Sequence, residues 1–263
     1  APVVEQYSID EAWIDLTGTD KLYGEPYHTA TLLKNRIRDE LGFTVNIGVS
    51  VNKLLAKMAS GFLKPDRVHT LFPHELAAKL WPLPVGELFF VGPATEKKLL
   101  ALGILTIGDL AKADLQQLKA RLHKHGEIIW HYANGRCFEA VAAHAPLNKG
   151  YGNSTTTAAD ITDRLTAHRV LLSLSETVGA RMRRDQQYGS CLTIHLRSNQ
   201  FQNFSHQLPL ASPTNLTLEI YQASCLAFDN LWDKHTPLRQ MGIYLSKIDQ
   251  HCLRQVALFT EDN

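Results

Sequence analysis

The sequence predicts a multidomain α+β protein: a mixed layer of strands and helices, a run of short helices, and a final β-α-β-β-α-β domain. Three observations carry this. The 263 residues exceed what one domain of about 150 residues would use. Near residue 72 the pattern changes from alternating strand and helix signals to short helices punctuated by Gly and Pro. From residue 151 onward the elements alternate in the order of a ferredoxin-like split βαβ domain.

In residues 1–71, Val3–Ile9 and Ala12–Leu16 read as strands separated by Asp10-Glu11. His28–Leu41 carries Leu32, Leu33, Ile37 and Leu41 at helical spacing, and Gly42 stops that helix. Phe43–Val49 alternates as a strand, and Val51–Phe62 reads as a helix ending before Lys64-Pro65. Residues 72–140 are all helical, with breaks around Leu83-Pro84, Gly92-Pro93, Gly103 and Gly108. Residues 141–150 have weak periodicity and read as a linker. In residues 151–250, strands are expected at Ser154–Ala159, Ser190–Arg197, Asn203–Leu208 and Leu238–Leu245. Helices are expected there at Asp163–Arg184 and Asn215–Trp232. Residues 251–263 form a tail. No Met stands at the start and Ala1-Pro2 runs straight into a strand, so the chain is expected to be a fragment cut upstream of that strand.

Composition narrows the function classes. Hydrophobic residues make up 44% and charged residues 20%, values of a globular protein with real cores. With 27 Lys and Arg against 26 Asp and Glu, net charge is +1 and names no partner, so any nucleic-acid contact must come from local placement of charge. Cys137, Cys191, Cys225 and Cys252 are far apart, against a zinc site or a disulfide framework and in keeping with a cytoplasmic protein. No apolar run approaches the ~18 residues of a membrane span. The twelve His are scattered, and no Walker-type phosphate loop or nucleophile triad occurs. Trp13, Trp81, Trp130 and Trp232 are expected to pack within the fold rather than to stack on bases.

Asp10 and Glu11 are adjacent acids where one strand ends and the next begins. Neighbouring strand residues point to opposite faces, so both reach one site only if the turn, such as a two-residue hairpin turn, re-aims one of them. Otherwise they are a solvated turn. Lys53, Lys57 and Lys64 follow at a spacing expected to align them along one helical face. Carboxylates that hold metal ions beside lysines that neutralise phosphate oxygens are what phosphoryl transfer needs, although a solvated helix face carries lysines too.

Tyr7-Ser8-Ile9-Asp10-Glu11-Ala12, Gly48-Val49-Ser50-Val51-Asn52-Lys53-Leu54-Leu55-Ala56-Lys57 and Lys64-Pro65-Asp66 resemble the palm motifs of the Y-family translesion DNA polymerases. The resemblance implies a partial palm at 1–71, with Asp10 and Glu11 binding catalytic Mg²⁺ (two ions in the complete enzyme) and Lys64 contacting the incoming triphosphate. Asp15 fits the motif, and a structural role suits it as well. The family's first metal-binding Asp and its fingers precede this strand. The chain is therefore expected to lack about 100 N-terminal residues on family length and to be inactive alone.

Leu83-Pro84-Val85 through Thr95, followed by Leu102-Gly103-Ile104 and Thr106-Ile107-Gly108-Asp109-Leu110, resembles a helix-hairpin-helix, the family's thumb element. Gly92 lets backbone approach a phosphate, Pro93 opens the next helix, and Thr95 and Lys97 lie in its first turns. Residues 151–250 resemble the family's little finger, Tyr151-Gly152-Asn153-Ser154-Thr155-Thr156 being closest to the UmuC-like branch of the bacterial UmuC/DinB-like proteins. Arg181, Arg183, Arg184 and Arg197 are candidate phosphate contacts, each equally at home on a solvated surface. Gln255-Val256-Ala257-Leu258-Phe259 resembles the peptide that docks bacterial polymerases on a sliding clamp, with Leu258 and Phe259 as anchors and Gln255 as a hydrogen-bonding residue.

The resemblance implies a DNA-directed DNA polymerase of an SOS-type damage response, acting on primer-template DNA and deoxynucleoside triphosphates. A damaged-DNA-binding, clamp-docking protein without synthesis is the alternative.

Overall fold

In a computed structural model, residues 3–143 and 148–250 are described. They form two compact units, 3–143 and 148–250.

The first unit opens with an antiparallel hairpin of β1 (Val3–Gln6) and β2 (Ala12–Asp15), in the register Val3↔Asp15 to Gln6↔Ala12. A short α1 (Asp20–Tyr23) leads to α2 (Pro26–Leu41), which begins with Pro26 in its first turn and ends on Gly42 at φ +72. That is the left-handed conformation glycine adopts without a Cβ penalty. Of the strand expected from Phe43, only β3 (Ile47–Val49) forms, paired in parallel with β4 (Val68–Thr70), which the sequence reading did not contain. Between them lies α3 (Lys53–Ser60), whose N-cap Asn52 accepts the Leu55 amide. Gly48 of β3 lies so close to α3 that an added Cβ would meet the Ala56 carbonyl oxygen at 1.9 Å.

The helical run follows as α4 (Pro93–Leu100), α5 (Ile107–Lys112), α6 (Leu115–Leu122) and α7 (Lys124–Ala133). Thr106 and Asp109 close a capping box at α5, and Asp114 caps α6. Leu54, Leu55, Met58 and Ala59 of α3 are buried in the same core as Leu99, Ile107, Leu118 and Ile129. Residues on both sides of position 71 therefore share one core. Trp13, Trp81 and Trp130 donate their indole N–H groups to the carbonyls of Lys53, Ala133 and Ala113, at 3.0, 3.0 and 3.1 Å. This is the structural use expected of them.

The second unit runs β5 (Gly150–Ile161), α8 (Arg164–Arg184), β6 (Tyr188–Ser198), β7 (Asn203–Thr214), α9 (Thr217–Leu231) and β8 (Leu238–Asp249). This is the β-α-β-β-α-β order read from the sequence, with β5 starting at the last residue of the expected linker. All pairings are antiparallel and the sheet order is β5-β8-β6-β7, so β8 splits the β5-α8-β6 unit. Leu192, Ile194, Leu196, Met241, Ile243 and Leu245 of the sheet bury against Leu171, Val178, Ile220 and Phe228 of the two helices. One sheet face is thus covered and the other left for polar residues. Among the described residues no helix is long and apolar enough to cross a membrane.

Candidate active site and nucleic-acid interface

Asp10 and Glu11 lie in the turn of the β1–β2 hairpin. The connection is residues 7–11, longer than the two-residue turn expected, and the Tyr7 and Ser8 amides both donate to the Glu11 carbonyl, at 2.9 and 3.2 Å. A tightened loop of this kind frees consecutive residues from strand alternation, which is how adjacent acids come to one turn. Asp10 is exposed and accepts the Ser8 hydroxyl at 2.7 Å. That bond, its own backbone amide and the charges of Lys57 and Lys64 hold its carboxyl below the usual range. Glu11 forms an ion pair with Lys57.

Lys53 and Lys57, one turn apart on α3, both reach the hairpin. Lys53 is buried, lies 4.6 Å from the Trp13 ring centre, and pairs with Glu5 of β1 at 2.8 and 2.9 Å. Burial pushes the Glu5 carboxyl up, but the Lys53 ammonium and the Ala142 amide together bring it below its ordinary value. Lys64 does not continue this lysine row. The helix ends at Ser60, and Lys64 sits in the following loop, ahead of Pro65 and Asp66. Helical spacing fails because it extends past the end of the helix.

Lys64 is exposed, while its loop is pinned. Asn46 donates to the Leu63 and Ser60 carbonyls at 3.0 and 3.3 Å and accepts the Arg67 amide at 3.0 Å. Asp66 forms an ion pair with Lys34 at 2.9 Å and accepts from Arg38 at 3.3 Å. Sequence reasoning missed Asn46 and Lys34, since nothing local marks a contact from α2 to Asp66. Asp15 accepts the Thr17 amide at 2.9 Å and closes its own turn, a structural use.

Among the described residues no group of three or more His, Cys, Asp or Glu could hold a metal ion. Asp10 and Glu11 offer the hard oxygen donors Mg²⁺ prefers. As a pair they fit part of a metal site and fall short of the carboxylate set a two-metal centre uses.

At the helix-hairpin-helix, Gly92 is the N-cap of α4 with φ −91, and its carbonyl accepts the Thr95 and Glu96 amides, both at 2.9 Å. This backbone conformation suits any residue, and a Cβ on Gly92 would meet nothing within 4 Å. Gly92 therefore leaves open space in front of the helix start. Lys97 is exposed, and Thr95 is half-buried. Phe90, two residues earlier, is exposed at φ +78, an uncommon conformation for a bulky residue, with its ring 5.3 Å from Phe89 and 5.9 Å from Tyr132.

The four candidate arginines of the second unit are not brought together. Arg181 donates to the Gly152 carbonyl at 3.0 Å, Arg183 to the Asn215 carbonyl at 2.7 Å, and Arg184 pairs with Asp185 at 2.9 Å, all from the end of α8. Arg197 lies on the open sheet face, level with Asn203 and Gln240, its guanidinium 4.9 Å from the Phe201 ring centre. His195 and Thr193 follow it on that face, opposite Ser205, Gln207 and Tyr244, and none of these residues is acidic. Gln255, Leu258 and Phe259 lie outside the described residues.

Three family comparisons cover most of the chain. Residues 1–61 match the impB/mucB/samB family, residues 73–104 the IMS family HHH motif, and residues 148–258 the impB/mucB/samB family C-terminal domain. Among curated proteins, DNA polymerase IV of Clostridium acetobutylicum is 41% identical over 260 residues, 99% of this chain and 65% of that protein. DNA polymerase IV 2 of Bacillus subtilis is 35% identical over 267 residues, 98% of this chain and 65% of that protein. The chain thus spans about 65% of the length of these relatives. A solved Y-family DNA polymerase chimera shares the fold with a TM-score of 0.75 at 22% identity, covering 94% of this chain and 72% of that one.

Proposed function

The chain belongs to the impB/mucB/samB family of Y-family polymerases, and from that premise we propose that it supplies the catalytic hairpin and the DNA-holding parts of a translesion DNA polymerase. In this reading the substrates are primer-template DNA and deoxynucleoside triphosphates, and the setting is an SOS-type damage response in the bacterial cytoplasm. The observation that carries it is the Asp10-Glu11 turn, bound to α3 by Lys57 at Glu11, with Lys53 of the same helix holding Glu5 of the adjoining strand β1.

Asp10 and Glu11 would hold Mg²⁺ there, with a further carboxylate coming from outside these 263 residues. Bound divalent cations supply charge neutralisation of the phosphoryl oxygens and activation of the attacking hydroxyl. Asp10 serves as an oxygen ligand because it stays ionised. Lys64 offsets the charge of the incoming triphosphate. The start of α4, with Gly92, Thr95 and Lys97, takes a DNA phosphate through backbone, which makes the contact independent of sequence. Arg197 adds a phosphate contact from the open face of the second unit. Arg181, Arg183 and Arg184 serve DNA only if they leave their present partners. Gln255, Leu258 and Phe259 would dock a sliding clamp.

The test is primer extension by a chain completed with the segment that the relatives have and these 263 residues lack. Mg²⁺-dependent extension is expected from the completed chain and none from the 263 residues. Duplex binding without extension under any template or metal condition would leave a DNA-binding, clamp-docking protein instead.

A further inference from the structure

We infer that Asn46, Asp66 and Lys34 are positioning residues for Lys64, an inference that rests on the polymerase reading above and deepens it. Lys64 occupies the loop between α3 and β4, so neither element fixes its backbone. Its side chain is exposed. The cation proposed to meet the triphosphate therefore sits on irregular chain.

The loop is held on both sides of Lys64. Before it, the Asn46 side-chain amide donates to the Leu63 carbonyl at 3.0 Å and the Ser60 carbonyl at 3.3 Å. After it, the same amide accepts the Arg67 N–H at 3.0 Å. One side chain thus uses its donor and acceptor atoms to clip the chain on either side of Lys64. Asp66 adds a second fixing point. It sits at φ +56, and its carboxylate takes Lys34 at 2.9 Å and Arg38 at 3.3 Å, both from α2. Lys34 is 8% exposed, so its ammonium is a buried charge that needs this partner. The contact ties the loop to the helix rather than decorating a surface. A lysine on a backbone fixed this way gives up less freedom when it meets a polyanion, which lowers the free-energy cost of binding.

The test is a double-mutant cycle in the completed chain, read as kcat and KM for the incoming nucleotide in single-nucleotide primer extension. Lys64→Ala is expected to raise KM by roughly 10-fold, a lost charge-assisted contact. Asn46→Ala is expected to raise KM by about 5-fold with kcat within about 2-fold, and to add little once Lys64 is already Ala. A residue that merely supports the fold would act equally in both backgrounds. Lys34→Gln keeps a donor for Asp66, removes the buried charge, and carries the same test should Asn46→Ala fail to fold by thermal melting. An unchanged KM, or effects that multiply independently with Lys64→Ala, would overturn the inference while leaving the polymerase reading intact. A completed chain that binds duplex but extends no primer would overturn both.

Discussion

Lys57 holds the Glu11 carboxylate in an ion pair, while Asp10, the neighbouring acid in the same turn, takes the Ser8 hydroxyl instead. Four residues earlier on α3, Lys53 pairs with Glu5 in the strand β1 that leads into the turn. The two lysines fasten the hairpin to the helix, and they do so in different surroundings.

Their removal should therefore differ in effect. The Lys53 side chain is 9% exposed and that of Glu5 19%, so Lys53→Met leaves a largely buried carboxylate without its cation. A loss of about 2–3 kcal/mol is expected. The Lys57–Glu11 pair is 25% and 40% exposed, and Lys57→Met should change stability by less than about 1 kcal/mol. Urea unfolding followed by tryptophan fluorescence in a Trp232→Phe background reads the first unit alone, because Trp13, Trp81 and Trp130 lie there. Equal losses would contradict this account of the hairpin.

Glycines at two motifs make opposite predictions. A Cβ at Gly48 would stand 1.9 Å from the Ala56 carbonyl oxygen and 2.6 Å from the Ser60 nitrogen, both backbone atoms that cannot rotate away. Gly48→Ala should destabilise the first unit by roughly 3 kcal/mol, the upper end of overpacking. Gly92 has open space at its Cβ and an unstrained φ, so Gly92→Ala should leave stability within about 0.5 kcal/mol. Because that space is where a phosphate would approach, the same variant should weaken duplex binding in a filter-binding or fluorescence titration.

The arginines separate in the same manner. Arg197→Ala should reduce the slope of log K against log salt by about 0.9, the signature of one lost phosphate contact. Arg183→Ala removes a donor from the Asn215 carbonyl and should lower the stability of the second unit by about 1 kcal/mol with little change in salt slope. Duplex binding that ignores ionic strength would count against phosphate contacts altogether.

Asp10 should titrate low. The Ser8 hydroxyl is the largest of the influences holding its carboxyl down, ahead of its own amide and the charges of Lys57 and Lys64. Because the folded value is depressed, the associated stabilisation is present above the unfolded carboxyl value of about 3.9 and is lost as pH falls through the lower folded midpoint. A carbon-13 NMR titration should place the Asp10 midpoint below the unfolded value, and Ser8→Ala should move it upward. An unchanged midpoint in Ser8→Ala would remove the hydroxyl from the explanation.

The helices and the order of elements in the second unit were legible because hydrophobic spacing is a local signal, as in α8 and α9. Sheet order was not. That β8 lies between β5 and β6 depends on long-range pairing no single segment encodes. β4 went unread because Val68–Thr70 is too short to show alternation, and its parallel partner β3 is 21 residues away in register. At the site, Asp10-Glu11 and Lys64 stood out as motif residues, whereas Asn46 and Lys34 act through contacts that only folding creates. Lys53 looked like part of an exposed basic row, yet burial beside Trp13 and Glu5 makes it structural.

In the proposed mechanism the hairpin turn carries a catalytic metal ligand while DNA is held elsewhere in the chain. Asp10→Ala in the completed chain tests it most directly, with primer extension and duplex binding measured on the same preparation. Extension should fall by about 10³-fold or more, as expected when a principal ligand of a two-metal centre is removed. Duplex affinity should stay within about 3-fold, because the proposed phosphate contacts lie at α4 and on the open sheet face. Extension that survives Asp10→Ala would contradict the claim.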